Sequence, residues 1–509
     1  MHRHLWIAPL PAAAMLWAGA ASAAPPIEQH TCENGLTVLV AEDHSVPLIT
    51  VQIAVKNGSM TESPQFNGLS HLYEHMFFKA NKALPNQEQY MARARELGMS
   101  WNGTTNTERV NYFFTTTKDH LGDAMVFMRD AIVSPLFDQS ELDKEKEVVV
   151  GEIDRNLSSP GYHLYHAVQE RVWWKYPSYK NPLGYRKTVR DATTAKMKTI
   201  QERYYVPNNS VLVVTGDVTA KDIFAQADKL FVEWKKAEDP FLKHPLVKHP
   251  ALKESEVVVV KQPVRTVQGS IVWHGPSTVG DSVDLTYAAD VLGTVFDNPT
   301  SKFQKALVDS GACNGAGLSW YTQMNTGPIT LSFSASEDKA EACVKAIFAE
   351  LPKFKDVAYV TDAEMKTAAH TLEVGQIQER EKPSAFASVL TFWWTSAGLD
   401  YYKGYIGNVK KVNHDAIAKF VDGFMIGKPF VFGVMESPDM ASKGLDNKKL
   451  CELAGVKYDP KKDKPTEDDM AAPGKDDKKG GDKKADKKPA DKKPADKKAA
   501  PAPTKKGGK

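Results

Sequence analysis

Apolar residues recur along this chain at two periods, and the switches between them lay out its elements. Alternation of apolar and polar positions predicts strands over residues 36–41, 49–56, 99–103, 110–116 and 210–215. Helical spacing fits residues 69–79, 87–97 and 122–133 and one long stretch, 141–174. Residues 235–255 are rich in Pro, Lys and His and lack either period, so 237–255 reads as a linker. Beyond it the order returns. Strands are expected at 256–261, 267–273, 318–323, 328–334 and 430–434, with helices at 281–296, 301–310, 339–351 and 362–379. Two similar α/β halves result, 24–236 and 256–458, with too little residue identity between them to establish a duplication.

The two ends depart from this pattern. Residues 1–23 combine a weakly basic start at Arg3, an apolar stretch over 5–20 and the small-x-small sequence Ala21-Ser22-Ala23. That combination reads as a signal peptide, so the mature chain is expected to be exported, periplasmic or secreted. No later run is long and apolar enough to predict a membrane span. From about Asp459 the chain becomes low-complexity, Ala485-Asp486-Lys487-Lys488-Pro489 recurring as Ala490-Asp491-Lys492-Lys493-Pro494, and 459–509 is expected to be a disordered tail.

Composition, 42% hydrophobic and 25% charged, is that of a globular protein. The net charge of +2 is misleading, because residues 461–509 alone carry 17 Lys against 10 acidic residues. With that segment and Arg3 set aside, the body is acidic, which excludes a nucleic-acid-binding surface. The four cysteines, Cys32, Cys313, Cys343 and Cys451, include no C-x-x-C pair, and both disulfides and buried free thiols remain open.

The candidate chemistry lies in Gly68-Leu69-Ser70-His71-Leu72-Tyr73-Glu74-His75, which contains H-x-x-E-H. On a helix, His71 and His75 project from one face a turn apart and can share a cation. Glu74 stands beside that stripe, able to reach a water without being a ligand. Zinc catalysis needs a third protein ligand and an open position. Glu145 and Glu152, two turns apart on one helical face, are the candidates, while Glu147 points elsewhere.

H-x-x-E-H followed by a Glu 77 positions after the second His resembles the signature of the insulinase/pitrilysin metallopeptidases, the inverzincins. Asn34-Gly35-Leu36, Gly58-Ser59, Glu74-His75-Met76-Phe77, Trp101-Asn102-Gly103-Thr104-Thr105, Val206-Pro207-Asn208-Asn209 and Gly216-Asp217 follow in the family's order, so the resemblance spans about residues 30–455. It implies an α+β fold of two related α/β halves, each a mixed, mainly antiparallel sheet packed with helices on one side. It implies one Zn2+ per chain held by His71, His75 and Glu152, with Glu74 as general base, Glu145 orienting a ligand, and Asn102 on an edge strand that binds the substrate. The implied activity is zinc-dependent endopeptidase action on peptides or unfolded polypeptides.

One part of the pattern is missing. The family supplies an Arg and a Tyr, seven residues apart, from a second α/β unit. Here Val308 stands at the Arg position, with Cys313 and Asn314 near that of the Tyr. Two-subunit, processing-peptidase-like members complete the site across two chains. A homologous partner supplying the Arg and Tyr is therefore expected, the alternative being a non-catalytic peptide-binding or assembly protein that retains the fold.

Overall fold

The structure is a computed structural model describing residues 26–463, apart from Pro177 and Gly444. The expected signal peptide and all but the first five residues of the expected tail lie outside the described residues.

Among the described residues, eleven strands form two sheets. The first contains β1 (Ile27–Thr31), β2 (Thr37–Glu42), β3 (Leu48–Val55), β4 (Ser100–Thr105), β5 (Val110–Thr117) and β6 (Ser210–Gly216), in the order β1-β2-β6-β3-β5-β4. The second contains β7 (Glu256–Lys261), β8 (Val267–His274), β9 (Gly315–Trp320), β10 (Pro328–Ala335) and β11 (Val431–Glu436), in the order β7-β11-β8-β10-β9. In each sheet the last strand of the half inserts between two earlier ones, β6 parallel to β2 and β11 parallel to β7, and every other pairing is antiparallel. Apart from β1, the two sheets have the same topology, which relates the halves where residue identity does not.

Side-chain alternation assigns the faces. In β6, Leu212 and Val214 face the first half's own helices, whereas Val211 and Val213 face away. Those helices include α1 (Leu69–Phe77), α2 (Gln87–Glu96), α3 (Leu121–Val133) and α4 (Gln139–Leu157). The opposite face of each sheet is covered by a helix from the other half. Helix Pro383–Ser396 packs Phe386, Ala387 and Leu390 on Leu39, Val211 and Val213 of the first sheet. Its polar side meets polar residues of the first half. Gln52 Nε2 donates to Thr391 Oγ1 at 2.9 Å, and Arg109 donates to Thr391 Oγ1 at 2.8 Å and to the Ser388 carbonyl at 2.7 Å. In return α5 (Pro160–Val172) packs Leu164 and Val168 on Val258, Val431 and Met435 of the second sheet. The loop between β9 and β10 is also tied across. Glu108 accepts from the Met324 and Asn325 amides at 2.8 and 3.2 Å, and buried Lys180 donates to Gln323 and to the Thr326 carbonyl.

Three expectations change. The helix over 141–174 is two helices, α4 and α5, because Ser159-Pro160 restarts the chain with Pro at the first helical position. The helix over 301–310 is a short turn, Lys302–Gln304, that widens into the π-type turn Lys305–Asp309. The Pro-rich segment after residue 235 packs Phe241 against the first core and Val247 and Leu252 against the cluster under α5. The described chain also continues into the expected tail with the turn Pro460–Lys462, where Lys462 pairs with Glu254 at 2.6 Å. Cys313 and Cys343 form a disulfide, and Cys32 and Cys451 are buried free thiols. No helix among the described residues is long and apolar enough to cross a membrane.

Candidate active site

Helix α1 carries both histidines, and its placement is fixed at its N-terminus. Gly68 there adopts φ +81°, and a Cβ on it would lie 2.8 Å from the Gly184 Cα, so the chain at 184 can approach only glycine. Buried Glu62 accepts from the Gly68 amide at 2.9 Å and from the Ser70 amide at 3.0 Å, satisfying free N–H groups of the first turn. Burial pushes this carboxyl up to about 7 against those bonds. Leu69, Leu72, Tyr73, Met76 and Phe77 bury the rest of the helix, which leaves His71 and His75 on the side facing a cleft of about 540 Å³.

Across the cleft, α4 presents Glu145 and Glu152 two turns apart, as the spacing predicts. His71 Nε2 is 3.5 Å and His75 Nε2 3.9 Å from the same Glu152 oxygen. One donor atom from each of the three residues lies within 4.8 Å of the others. Two atoms bonded to one tetrahedral zinc at about 2.0–2.1 Å stand about 3.4 Å apart, so the trio fits such an ion. The donor chemistry also fits. Burial and neighbouring His75 push His71 down to about 3, keeping it a neutral nitrogen donor. Its Nδ1 is buried with no hydrogen-bond partner, which leaves Nε2 as the atom with a role.

Glu145 is not in the trio. It lies 2.9 Å from His75 Nδ1 and 2.6 Å from Lys79 Nζ. Burial pushes Glu145 up, but those two partners outweigh it and hold the carboxyl below its usual range. A proton on Nδ1 shared with Glu145 leaves the Nε2 lone pair of His75 facing the cleft.

Glu74 lies under the edge strand β4. Thr105 Oγ1 donates to Glu74 Oε2 at 2.7 Å, and burial raises the carboxyl above its ordinary value against that bond and against His75. Gly103 makes the close approach possible, since a Cβ there would lie 2.8 Å from Glu74 Cγ and Oε1. Asn102, next to Gly103, is exposed on β4, pairs with Phe113 on the inner side and lines the cleft. β4 ends the sheet, so its outer backbone groups are open to an added strand. Phe78 and Trp101, 4.5 Å between ring centroids, form an aromatic wall of the cleft.

The structure thus brings together His71, Glu74, His75, Asn102, Glu145 and Glu152. Sequence reasoning missed Thr105, Gly103, Lys79 and Glu62. Lys79 lies four residues after His75, in the turn that follows α1, and Thr105 shares a β4 face with Gly103, so their spacing is a usable signal. His163 and His166 do not share a site, since His163 Nε2 bonds the Leu157 carbonyl at 2.8 Å and His166 Nδ1 lies 3.5 Å from Glu170. A larger cavity, about 750 Å³, lies against α5 and the second sheet and touches the cleft only through Pro182. Its lining holds one charged side chain, Lys180, so the chemistry belongs to the smaller cleft. At the positions expected of the Arg and Tyr, Val308 packs on the second core and Cys313 is in the disulfide.

Comparison with known proteins agrees with this geometry. Residues 37–184 match the profile described as Insulinase (Peptidase family M16), and residues 191–372 match Peptidase M16 inactive domain. The chain is 25% identical to an uncharacterised zinc protease of Rickettsia felis over 69% of this chain and 83% of that one. Its fold is similar to a protease from Helicobacter pylori, with a TM-score of 0.73 at 22% identity, covering 81% of this chain and 100% of the other. It is also similar to the first half of the periplasmic protease PqqL from Escherichia coli, with a TM-score of 0.70 at 17% identity, covering 84% and 96%. The H-x-x-E-H helix, the distal Glu on α4, the paired sheets and both matched profiles together assign the chain to the insulinase-type peptidase family.

Proposed function

We propose that this chain is a zinc metalloendopeptidase for peptides or unfolded polypeptides, exported from the cytoplasm, with one catalytic zinc held by His71, His75 and Glu152. The observation that carries the reading is the convergence of those three donors beside a buried, hydrogen-bonded Glu74 in a cleft walled by an edge strand. Zinc bound there supplies Lewis acidity, acidifying a water and drawing charge from a carbonyl oxygen. Glu74 takes the proton of the attacking water and returns it to the leaving amine. Thr105 and Gly103 set where that carboxylate sits. Glu145 fixes the tautomer and direction of His75. Asn102 and β4 align the peptide as an added strand, which reads backbone before side chains.

The reading includes a partner. Val308 and the disulfide-bound Cys313 leave the second half without the family's Arg and Tyr, so a homologous subunit is proposed to supply them and to complete a heterodimer. The same observation is what a non-catalytic peptide-binding protein of this fold would display, and Glu74 separates the two readings. Glu74→Gln is expected to fold and keep its zinc while losing hydrolysis of an unstructured peptide, measured with and without the partner. Zinc loss in that variant, or unchanged cleavage, refutes the assigned role.

A further inference from the structure

A second set of metal-binding side chains lies outside the cleft, at the opposite edge of the first sheet. Edge strand β1 ends at Thr31, and His30 and Cys32 stand two residues apart in extended chain, so both turn to one side. On that side lies the helix Ala220–Leu230, where Asp228 meets them. His30 Nε2 is 2.9 and 3.0 Å from the two Asp228 oxygens, and the Cys32 sulfur stands beside the same carboxylate. One donor atom from each of the three lies within 4.8 Å of the others, the same limit that the cleft trio meets.

The elements that carry these donors are held together independently of any ion. Asn34, in the turn after Cys32, donates to the Phe231 and Trp234 carbonyls at 2.8 and 2.9 Å, just beyond the end of the Asp228 helix. The His30 ring lies 5.2 Å from that of Phe224, one turn before Asp228 on the same helix. Cys32 is buried, while the side chains of His30 and Asp228 are 33% and 49% exposed, so an ion entering from solvent reaches all three.

We propose that His30, Cys32 and Asp228 bind a second divalent cation of the zinc class, which clips β1 to the Ala220–Leu230 helix. Thiolate, imidazole and carboxylate are zinc donors, and the sulfur selects against Mg2+ and Ca2+. A water completes four-coordination. On binding, the thiol proton leaves to solvent, and His30 holds its remaining proton on Nδ1.

The test is Co2+ titration of the metal-stripped full chain, reading total bound metal and the near-ultraviolet thiolate-to-cobalt absorption. Cys313 and Cys343 offer no thiolate, and Cys451 lies in the second core, so Cys32 is the source of any such band. Two equivalents are expected, one of them giving the band. Cys32→Ser should abolish it, and Asp228→Asn, at an exposed position that leaves the fold intact, should weaken that equivalent roughly tenfold or more. His71→Ala should lose the cleft equivalent and keep the band, so failure of either site is read separately from the other. A titration of the wild-type chain without a thiolate band, or a band that survives Cys32→Ser, overturns the proposal.

Discussion

Replacing Gly103 by Ala perturbs Glu74 and little else. The added Cβ would stand 2.8 Å from Glu74 Cγ and Oε1 and 3.1 Å from its Cδ, whereas ordinary contacts begin near 3.4 Å. The Gly103 backbone is not in the left-handed region, so β4 accepts alanine, and the lower entropy of the unfolded chain adds a few tenths of a kcal/mol of stability. The carboxylate must give way by roughly 0.6–1 Å, which stretches its 2.7 Å bond to Thr105 and moves it from the place where it meets the water. A misplacement of about 1 Å costs on the order of 100-fold in rate. The metal trio is not touched. The expected outcome is therefore full zinc content, an unchanged or slightly raised Tm, and a fall of about 100-fold in kcat/KM on a quenched fluorescent peptide. Thr105→Val, which removes the bond without crowding, should lose less. Activity of Gly103→Ala within about threefold of wild type would show that the position of Glu74 under β4 does not govern the reaction.

Three further outcomes are expected. Glu152→Gln should lose most bound zinc, whereas Glu145→Gln should weaken binding or activity by about 10–100-fold, and metal analysis after dialysis giving the reverse order would exchange their roles. Asp290 is half-buried, accepts from Tyr405 at 2.8 Å and is pushed up to about 7 by the loss of solvent around it; the folded chain thus holds a proton that the unfolded chain gives up between about pH 4 and 7, and stability falls as pH rises through that window. Asp290→Asn should flatten that slope, raising Tm more at pH 8 than at pH 5, and equal shifts at both would place the slope elsewhere. The Cys313–Cys343 disulfide closes a sequence separation of 30, so Cys313→Ser/Cys343→Ser should lower the denaturation free energy by about 3.6 kcal/mol, and an unfolding midpoint indifferent to reductant would contradict it.

Much of this was readable in the chain because the relevant periods are local. The run 256–261 is β7 to the residue, an unbroken run of valines between two charged residues, and the helices at 87–97 and 122–133 come within a residue of α2 and α3, since each helix shows one exposed and one buried side. β9 was expected three residues late because Gly315-Ala316-Gly317 gives no apolar alternation. The helix Pro383–Ser396 was not foreseen. Its apolar residues serve a sheet more than 150 residues earlier in sequence, and its buried Thr391 and Thr395 blur the helical stripe. The cleft shows the same division. The i, i+4 histidines and the two-turn spacing of Glu145 and Glu152 are local facts, whereas the bond of Thr105 to Glu74 depends on how β4 crosses α1.

The exchange of α5 and Pro383–Ser396 between the halves has a consequence for how the molecule is made. A ribosome releases the first sheet long before it releases the helix that seals its outer side. Until that helix arrives, Leu39, Val211 and Val213 face water, and so does α5, whose seat on β11 lies later still in the chain. The nascent first half is therefore an unfinished object with a sticky flank, one that a holding chaperone can grip. Cleavage of the joining segment after folding would leave two fragments interlocked rather than two free pieces. Severing the gene at the same point would yield two polypeptides, each needing the other to finish folding.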